Sequence, residues 1–207
     1  MKTIRPALLI ATLMLAGCAG SSSDAPRSDS SSTWWNPVSW SWSSLSPTHW
    51  FGSSLTLSER GLGEVNGSTL MQHDVLNDAL GNNYHLRQGM RTTDGTIERF
   101  WQGVDSEKQQ KVELVGDTTV NRIDVTDSDV TTENGVKLGT KFSELYSKAF
   151  GACEKGHGAD RANVECKAPG SQHISFVFSG DWHGPQGLMP SDDTLKTWTL
   201  SKMIWRR

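Results

Sequence analysis

The sequence predicts an α+β domain, mainly antiparallel β-sheet with two short helices, and three features carry that expectation. Apolar and polar residues alternate in several short runs, as in half-buried strands. The turns between those runs are glycine-containing and too short for the crossovers that parallel strands need. Two amphipathic stretches, LMQHDVLNDAL and KFSELYSKAF, each stop at a glycine, Gly81 and Gly151.

Taken in order, SSLTLSE alternates as a first strand, and GLGEVNGST reads as a turn leading into the first helix. Ser68 or Thr69 would cap that helix, with Leu70, Val75, Leu76, Ala79 and Leu80 on its buried face. YHLRQGMRTTDGTIERFWQGV is two strands around Thr93-Asp94-Gly95, because Asp-Gly supplies the positive φ angles of a tight hairpin. KVELV and VNRIDVTD continue the alternation across Gly116-Asp117. A glycine loop, Gly135 to Thr140, then precedes the second helix, with Phe142, Leu145, Ala149 and Phe150 inward. HISFVFSG places Ile174, Phe176 and Phe178 on one strand face, and TWTLSKMIWRR closes the chain as a last strand. Both halves follow one order of glycine loop, helix, glycine and strands, which fits two divergent repeats or a shared supersecondary logic alone.

Ahead of this domain, Lys2 and Arg5 precede an apolar run from Ala7 to Ala16, too short to span a bilayer but suited to a secretory signal. Leu15-Ala16-Gly17-Cys18 resembles the bacterial lipobox, so residues 1–17 read as a lipoprotein signal peptide and Cys18 as the lipid attachment site. Several acyl chains on one residue exceed the two-signal threshold for stable anchoring. Ala19, in place of a retaining aspartate, favours the outer membrane, facing the periplasm. Residues 18–33 form a serine-rich tether without a large apolar side chain, of about 20 Å root-mean-square reach.

Residues 34–51, WWNPVSWSWSSLSPTHWF, hold five of the nine tryptophans. Trp34, Trp35, Trp40 and Trp42 fit three roles: a membrane-interface contact, contact with peptidoglycan or a partner, and packing on the chain's own domain. Trp50 and Phe51 fit packing best. Residues 52–207 then make a single α+β globular domain.

Removal of the signal, with Lys2 and Arg5, leaves eighteen basic and twenty-three acidic side chains, and no long basic run remains. Such a surface speaks against nucleic acid as a partner. Cys153 and Cys166 remain after Cys18 is lipidated, and an oxidising periplasm predicts a disulfide between them. The intervening GHGADRANVE reads as a polar surface loop, whose closure would contribute about 3 kcal/mol. Zinc held by Cys153, His157, Cys166 and His173 is the rival, but the spacings match no common zinc pattern.

No nucleophile elbow, P-loop, H-E-x-x-H or dinucleotide fingerprint occurs, and no cofactor is expected. The most suggestive constellation is GDWHGPQGLMPSDD, residues 180–193, where Asp181, His183, Asp192 and Asp193 bring acid–base groups to a loop. Asp181 and His183 are its candidate ligand or partner contacts, and a structured connection without chemistry fits the same glycines and prolines. Asp124, Asp127, Asp129 and Glu133 offer oxygen ligands but lack the EF-hand pattern, as a solvated turn would.

LAGC, the tryptophan-rich segment, VKLGTKFSELYSKAFGAC and HISFVFSGDWHGPQGLMPSDDTLKTWTLSKMIWRR together resemble the RpoE-regulated lipoprotein family of enteric bacteria, over nearly the whole mature chain. The resemblance implies expression under the envelope-stress sigma factor. It carries no assigned activity, so only Cys18 receives a role from it. The combined expectation is an outer-membrane-anchored periplasmic lipoprotein acting as a non-enzymatic binding or accessory module toward an envelope protein, lipid or peptidoglycan. The alternatives are a periplasmic hydrolase using the 180–193 loop and a purely structural envelope protein.

Overall fold

The computed structural model describes residues 55–93, 95–185 and 187–207. Cys18, the tether, Trp34, Trp35, Trp40, Trp42, Trp50, Phe51 and Asp94 lie outside the described residues. Four short strands open the domain or sit midway along it: β1 (Thr56–Ser58), β2 (Gly61–Leu62), β3 (Val65–Asn66) and, later, β8 (Thr131–Thr132). They form a small sheet in the order β3-β2-β1-β8. Its β1–β8 pair is parallel, which the long intervening chain permits.

The main sheet is antiparallel throughout. After helix α1 (His73–Ala79) come β4 (His85–Thr93), β5 (Thr96–Val104), β6 (Gln110–Val115) and β7 (Arg122–Val125). After α2 (Phe142–Leu145) come β9 (Cys153–Lys155), β10 (Val164–Lys167), β11 (Ile174–Ser179) and, beyond α3 (Asp192–Leu195), β12 (Thr199–Arg206). The strand order β4-β5-β6-β7-β12-β11-β10-β9 is therefore two four-stranded meanders, one from each half. They join where their last strands pair, from Met203 opposite Val125 to Arg206 opposite Arg122. The order shared by the two halves thus extends to their topology.

Period-two alternation sends Val112, Leu114, Ile123, Val125, Phe176, Phe178, Met203 and Trp205 into one core, with Leu57, Leu62 and Val65 from the small sheet. Leu76, Leu80, Phe142 and Trp198 fill it from the helices and connections. Phe142, Tyr146 and Phe178 pack ring against ring at 5.2–5.8 Å. Such aromatic contacts contribute beyond the area they bury.

Several local expectations are corrected. GLGEVNGST contains the β2–β3 hairpin, and α1 starts only at His73, with Gln72 at the N-cap. Ser68 and Thr69 are used up in the preceding turn: Ser68 N donates to Asn66 Oδ1 at 2.9 Å and Asn66 N to Thr69 Oγ1 at 2.9 Å. Leu70 and Val75 are 40% and 37% exposed, because the late start shifts the buried face to Leu76 and Leu80. Helix α2 stops after one turn at Tyr146, whose extended backbone breaks the helical phase. Tyr146 then enters the core while Phe150 stands 87% exposed. Among the described residues the α-helices number three rather than two, since Ser191 caps α3 by accepting from Thr194 N at 3.3 Å.

Candidate functional site

On the face of the main sheet opposite the core, the same alternation gathers charge. Glu113 faces Asp124 across β6 and β7, and Arg122, Lys202, Arg206 and Glu165 share that side. Glu113 and Asp124 are only 5% and 4% exposed. Carboxylates so buried must be paired, and they are. Arg91 reaches Glu113 at 2.6 Å and Glu98 at 3.0 Å, with its guanidinium 5.1 Å from the centre of the Phe100 ring. Arg122 Nε donates to Asp124 at 2.6 Å, Lys202 lies 3.8 Å from Asp124, and Arg206 donates to Glu165 at 3.1 Å.

These pairings set the protonation of the face. Burial works against charge on Glu165 and Glu98, but hydrogen bonds from Arg206 to the first and from Arg91 and Thr93 to the second outweigh it and lower both pKa values. The hydrogen bond to Asp124 outweighs burial at Arg122 and raises its pKa. Arg91 is raised in the same sense: burial opposes its charge, and Glu113 and Glu98 more than restore it.

The turn between β9 and β10 folds over this face. Cys153 and Cys166 sit directly opposite one another in β9 and β10 and are joined, with an S–S distance of 2.08 Å. The bond that the sequence predicts is present, and zinc ligation by those thiols is thereby ruled out. What reads as a surface loop is instead the β9–β10 hairpin at the edge of the main sheet, whose turn, with a 3-10 turn at Gly158–Asp160, forms a roof. Gly156 lies under that turn, where a Cβ would come within 2.2 Å of the Asp160 carbonyl oxygen. Asp160 clamps the roof to the sheet by accepting from Lys202 Nζ at 2.7 and 2.9 Å.

Between the roof and the 180–187 segment runs a cleft of about 800 Å³, lined by Lys155, His157, Arg161, Trp182 and His183 together with several glycines. Trp182 lies against Gly184, whose Cβ would come within 2.0 Å of the ring, and its indole N–H donates to Pro185 O at 3.3 Å. Gly180 similarly admits the Trp198 ring. A second cleft, of about 700 Å³, opens between the roof and β4–β7 and has both signs of charge: Arg91, Glu98, Glu113, Arg122, Asp124 and Lys202. A third, also about 700 Å³, is lined by Glu154, Glu165, Lys167 and Arg206. His157 borders all three.

The groups that the sequence singles out are only partly brought together. His183 lines the first cleft, while Asp181 is exposed outside its lining. Asp192 accepts from Ala149 N at 2.8 Å, tying α3 to the end of α2, and Asp193 pairs with Lys196 at 2.7 Å. His173 is structural, with Nδ1 at 2.8 Å from Arg206 O and its ring stacked on Trp205. The acidic cluster disperses: Asp124 belongs to the charged face, and Asp127 accepts from Tyr84 O–H at 2.7 Å. Burial first, then Asp127, raises the Tyr84 pKa. Among the described residues no group of three or more histidines, cysteines and carboxylates could hold a metal ion. Sequence reasoning does not single out Lys155, Arg161, Trp182 or Lys202; charge at alternate positions of LSKMIWR signals Lys202 and the neighbouring His183 signals Trp182, whereas no pattern marks Lys155 or Arg161.

Residues 39–207 match the family described as Protein of unknown function (DUF1131). The Uncharacterized protein YfeY of Escherichia coli (strain K12) is 48% identical over 207 residues, covering all of both chains. The crystal structure of the uncharacterized protein yfeY from Escherichia coli is similar with a TM-score of 0.68 at 53% identity, covering 73% of this chain and 99% of that one.

Proposed function

We propose that this protein, which belongs to the DUF1131 family over residues 39–207, is a tethered binding module of the bacterial envelope, with its site in the cleft between the roof and the 180–187 segment. The observation that carries the reading is the cleft itself: concave, of small-molecule size, and holding an aromatic wall beside convergent polar groups. Cys18, in its LAGC context, supplies the tether to the outer membrane on the periplasmic side, and the resemblance to RpoE-regulated lipoproteins supplies a stress context. A lipid-held module would meet envelope lipid, peptidoglycan or protein without leaving the membrane surface.

The geometry favours binding over hydrolysis. Two of the carboxylates that a hydrolase at the 180–193 loop would draw on are already engaged, Asp192 with Ala149 N and Asp193 with Lys196.

In-cell photocrosslinking tests the reading. A photoreactive residue at position 183 should capture a discrete adduct that the same residue at the exposed position 133 does not. Identical capture from both positions would contradict it. Cys18→Ser should leave the chain out of the membrane fraction, and its retention there would refute the anchor.

A further inference from the structure

We propose that the cleft recognises a phosphate-bearing sugar, with Arg161 and Lys155 holding the phosphate and Trp182 bounding the ring. The inference rests on the reading of this cleft as the binding site and adds the chemistry of the ligand. The charge of the three clefts separates them. The two that lie on the charged face have cations and carboxylates in their linings, so their charges are already matched by the fold. The cleft between the roof and the 180–187 segment has Lys155, Arg161, His157 and His183 in its lining and, among the described residues, no carboxylate.

The acid beside Arg161 is already committed. Asp160, next in sequence to Arg161, gives both carboxylate oxygens to Lys202. Neither Lys155 nor Arg161 forms an ion pair among the described residues. Lys155 donates one hydrogen bond, to Ala162 O at 3.2 Å, and an ammonium group has two further donors to offer. A guanidinium presents a planar fork that fits two oxygens of one phosphate at once.

The site is also built rather than incidental. Gly156 permits the close turn that brings His157 and Arg161 round, the disulfide holds the ends of the roof, and Lys202 fixes its middle. On the opposite wall the packing against Gly184 fixes the Trp182 ring. An indole offers a flat apolar surface to the ligand part that is not charged, which a bare inorganic anion would leave unused. A volume of about 800 Å³ accommodates a ring with its phosphate.

Calorimetric titration of the full chain in detergent tests this with three probes: glucose 1-phosphate, glucose and inorganic phosphate. Glucose 1-phosphate should bind saturably and more tightly than phosphate, glucose should give no saturable heat, and added salt should weaken the interaction. Arg161→Ala should weaken binding about tenfold or more, since it removes hydrogen bonds to a charged group. Trp182→Phe, which keeps an aromatic ring, should weaken it by less than Arg161→Ala does. Displacement of glucose 1-phosphate by a detergent-dispersed phosphorylated glycolipid would identify a lipid headgroup as the natural source, and failure to displace it a soluble sugar phosphate. Equal binding of glucose and glucose 1-phosphate, no binding of either, or binding unaffected by Arg161→Ala would overturn the proposal. If glucose 1-phosphate fails while position 183 still captures a discrete adduct in cells, the ligand class falls and the cleft remains a binding site.

Discussion

The two faces of the main sheet solve burial in opposite ways. On one, Phe178, Met203 and Leu114 are buried among other hydrocarbon and need only shape. On the other, Glu113, Asp124 and Glu165 are nearly as buried, but each requires a specific cation at hydrogen-bond distance. The apolar face can be satisfied by any well-packed set of side chains of the right volume. The charged face specifies geometry, because one displaced partner leaves a buried charge unpaired. That difference teaches where position matters: the clefts border the charged face and its roof, whereas the helices and the small sheet pack on the other.

The comparison can be broken most sharply at its apolar side. Phe178→Ala should cost about 4 kcal/mol in urea unfolding, from lost transfer free energy and the cavity left beside Phe142 and Tyr146. A cost near zero would mean that the core is elsewhere. Replacing Cys153 and Cys166 by serine should cost about 3 kcal/mol on the loop-closure argument, read in the same assay against the oxidised wild type. Lys202→Met should cost about 2 kcal/mol, because Asp160 and Asp124 lose charged hydrogen bonds or ion pairing while remaining sheltered. Arg161→Ala should change stability by less than about 0.5 kcal/mol, as an exposed side chain outside the ion pairs. Phe150→Ser should be equally mild, since that ring is already in solvent.

Acid sharpens the same contrast. Glu165 and Glu98 have lowered folded pKa values, so the unfolded chain binds their protons first as pH falls. Their stabilisation is fully present above the unfolded carboxylate value, about 4.3, and is lost as pH drops through the lower folded values. Glu165→Gln should therefore flatten the stability profile below about pH 5. An unchanged acid limb would show that the Arg206 pairing contributes nothing.

The apolar face was legible in the sequence because alternation reports it directly. HISFVFSG, KVELV and the hairpin from His85 to Val104 appear where the periodicity puts them, and Gly81 follows α1 in the left-handed conformation a helix end favours. Phe150 misled because helical phase was extended past Tyr146, where packing of the Tyr146 ring and its hydrogen bond to Lys167 O end the helix. The charged face was half legible: the charges of RIDV and LSKMIWR alternate as strand residues do, and outward-pointing charge is ordinarily solvated. Only the roof turns that face inward. GHGADRANVE holds no apolar run to announce a strand, so β9 and β10 depend on the disulfide, on pairing with β11 and on the Asp160–Lys202 clamp. The same blindness hid the cleft, whose lining comes from segments distant in sequence.

The central claim is that the charged face holds the roof, and with it the cleft, in position. Hydrogen–deuterium exchange on the full chain, wild type against Lys202→Met, tests it most directly. Release of the clamp predicts faster exchange at the backbone amides of Gly156, Asp160 and Asn163, which the folded roof protects, with β5, β6 and β11 unchanged. Unaltered protection at those amides, or loss spread evenly through the sheet, would contradict it.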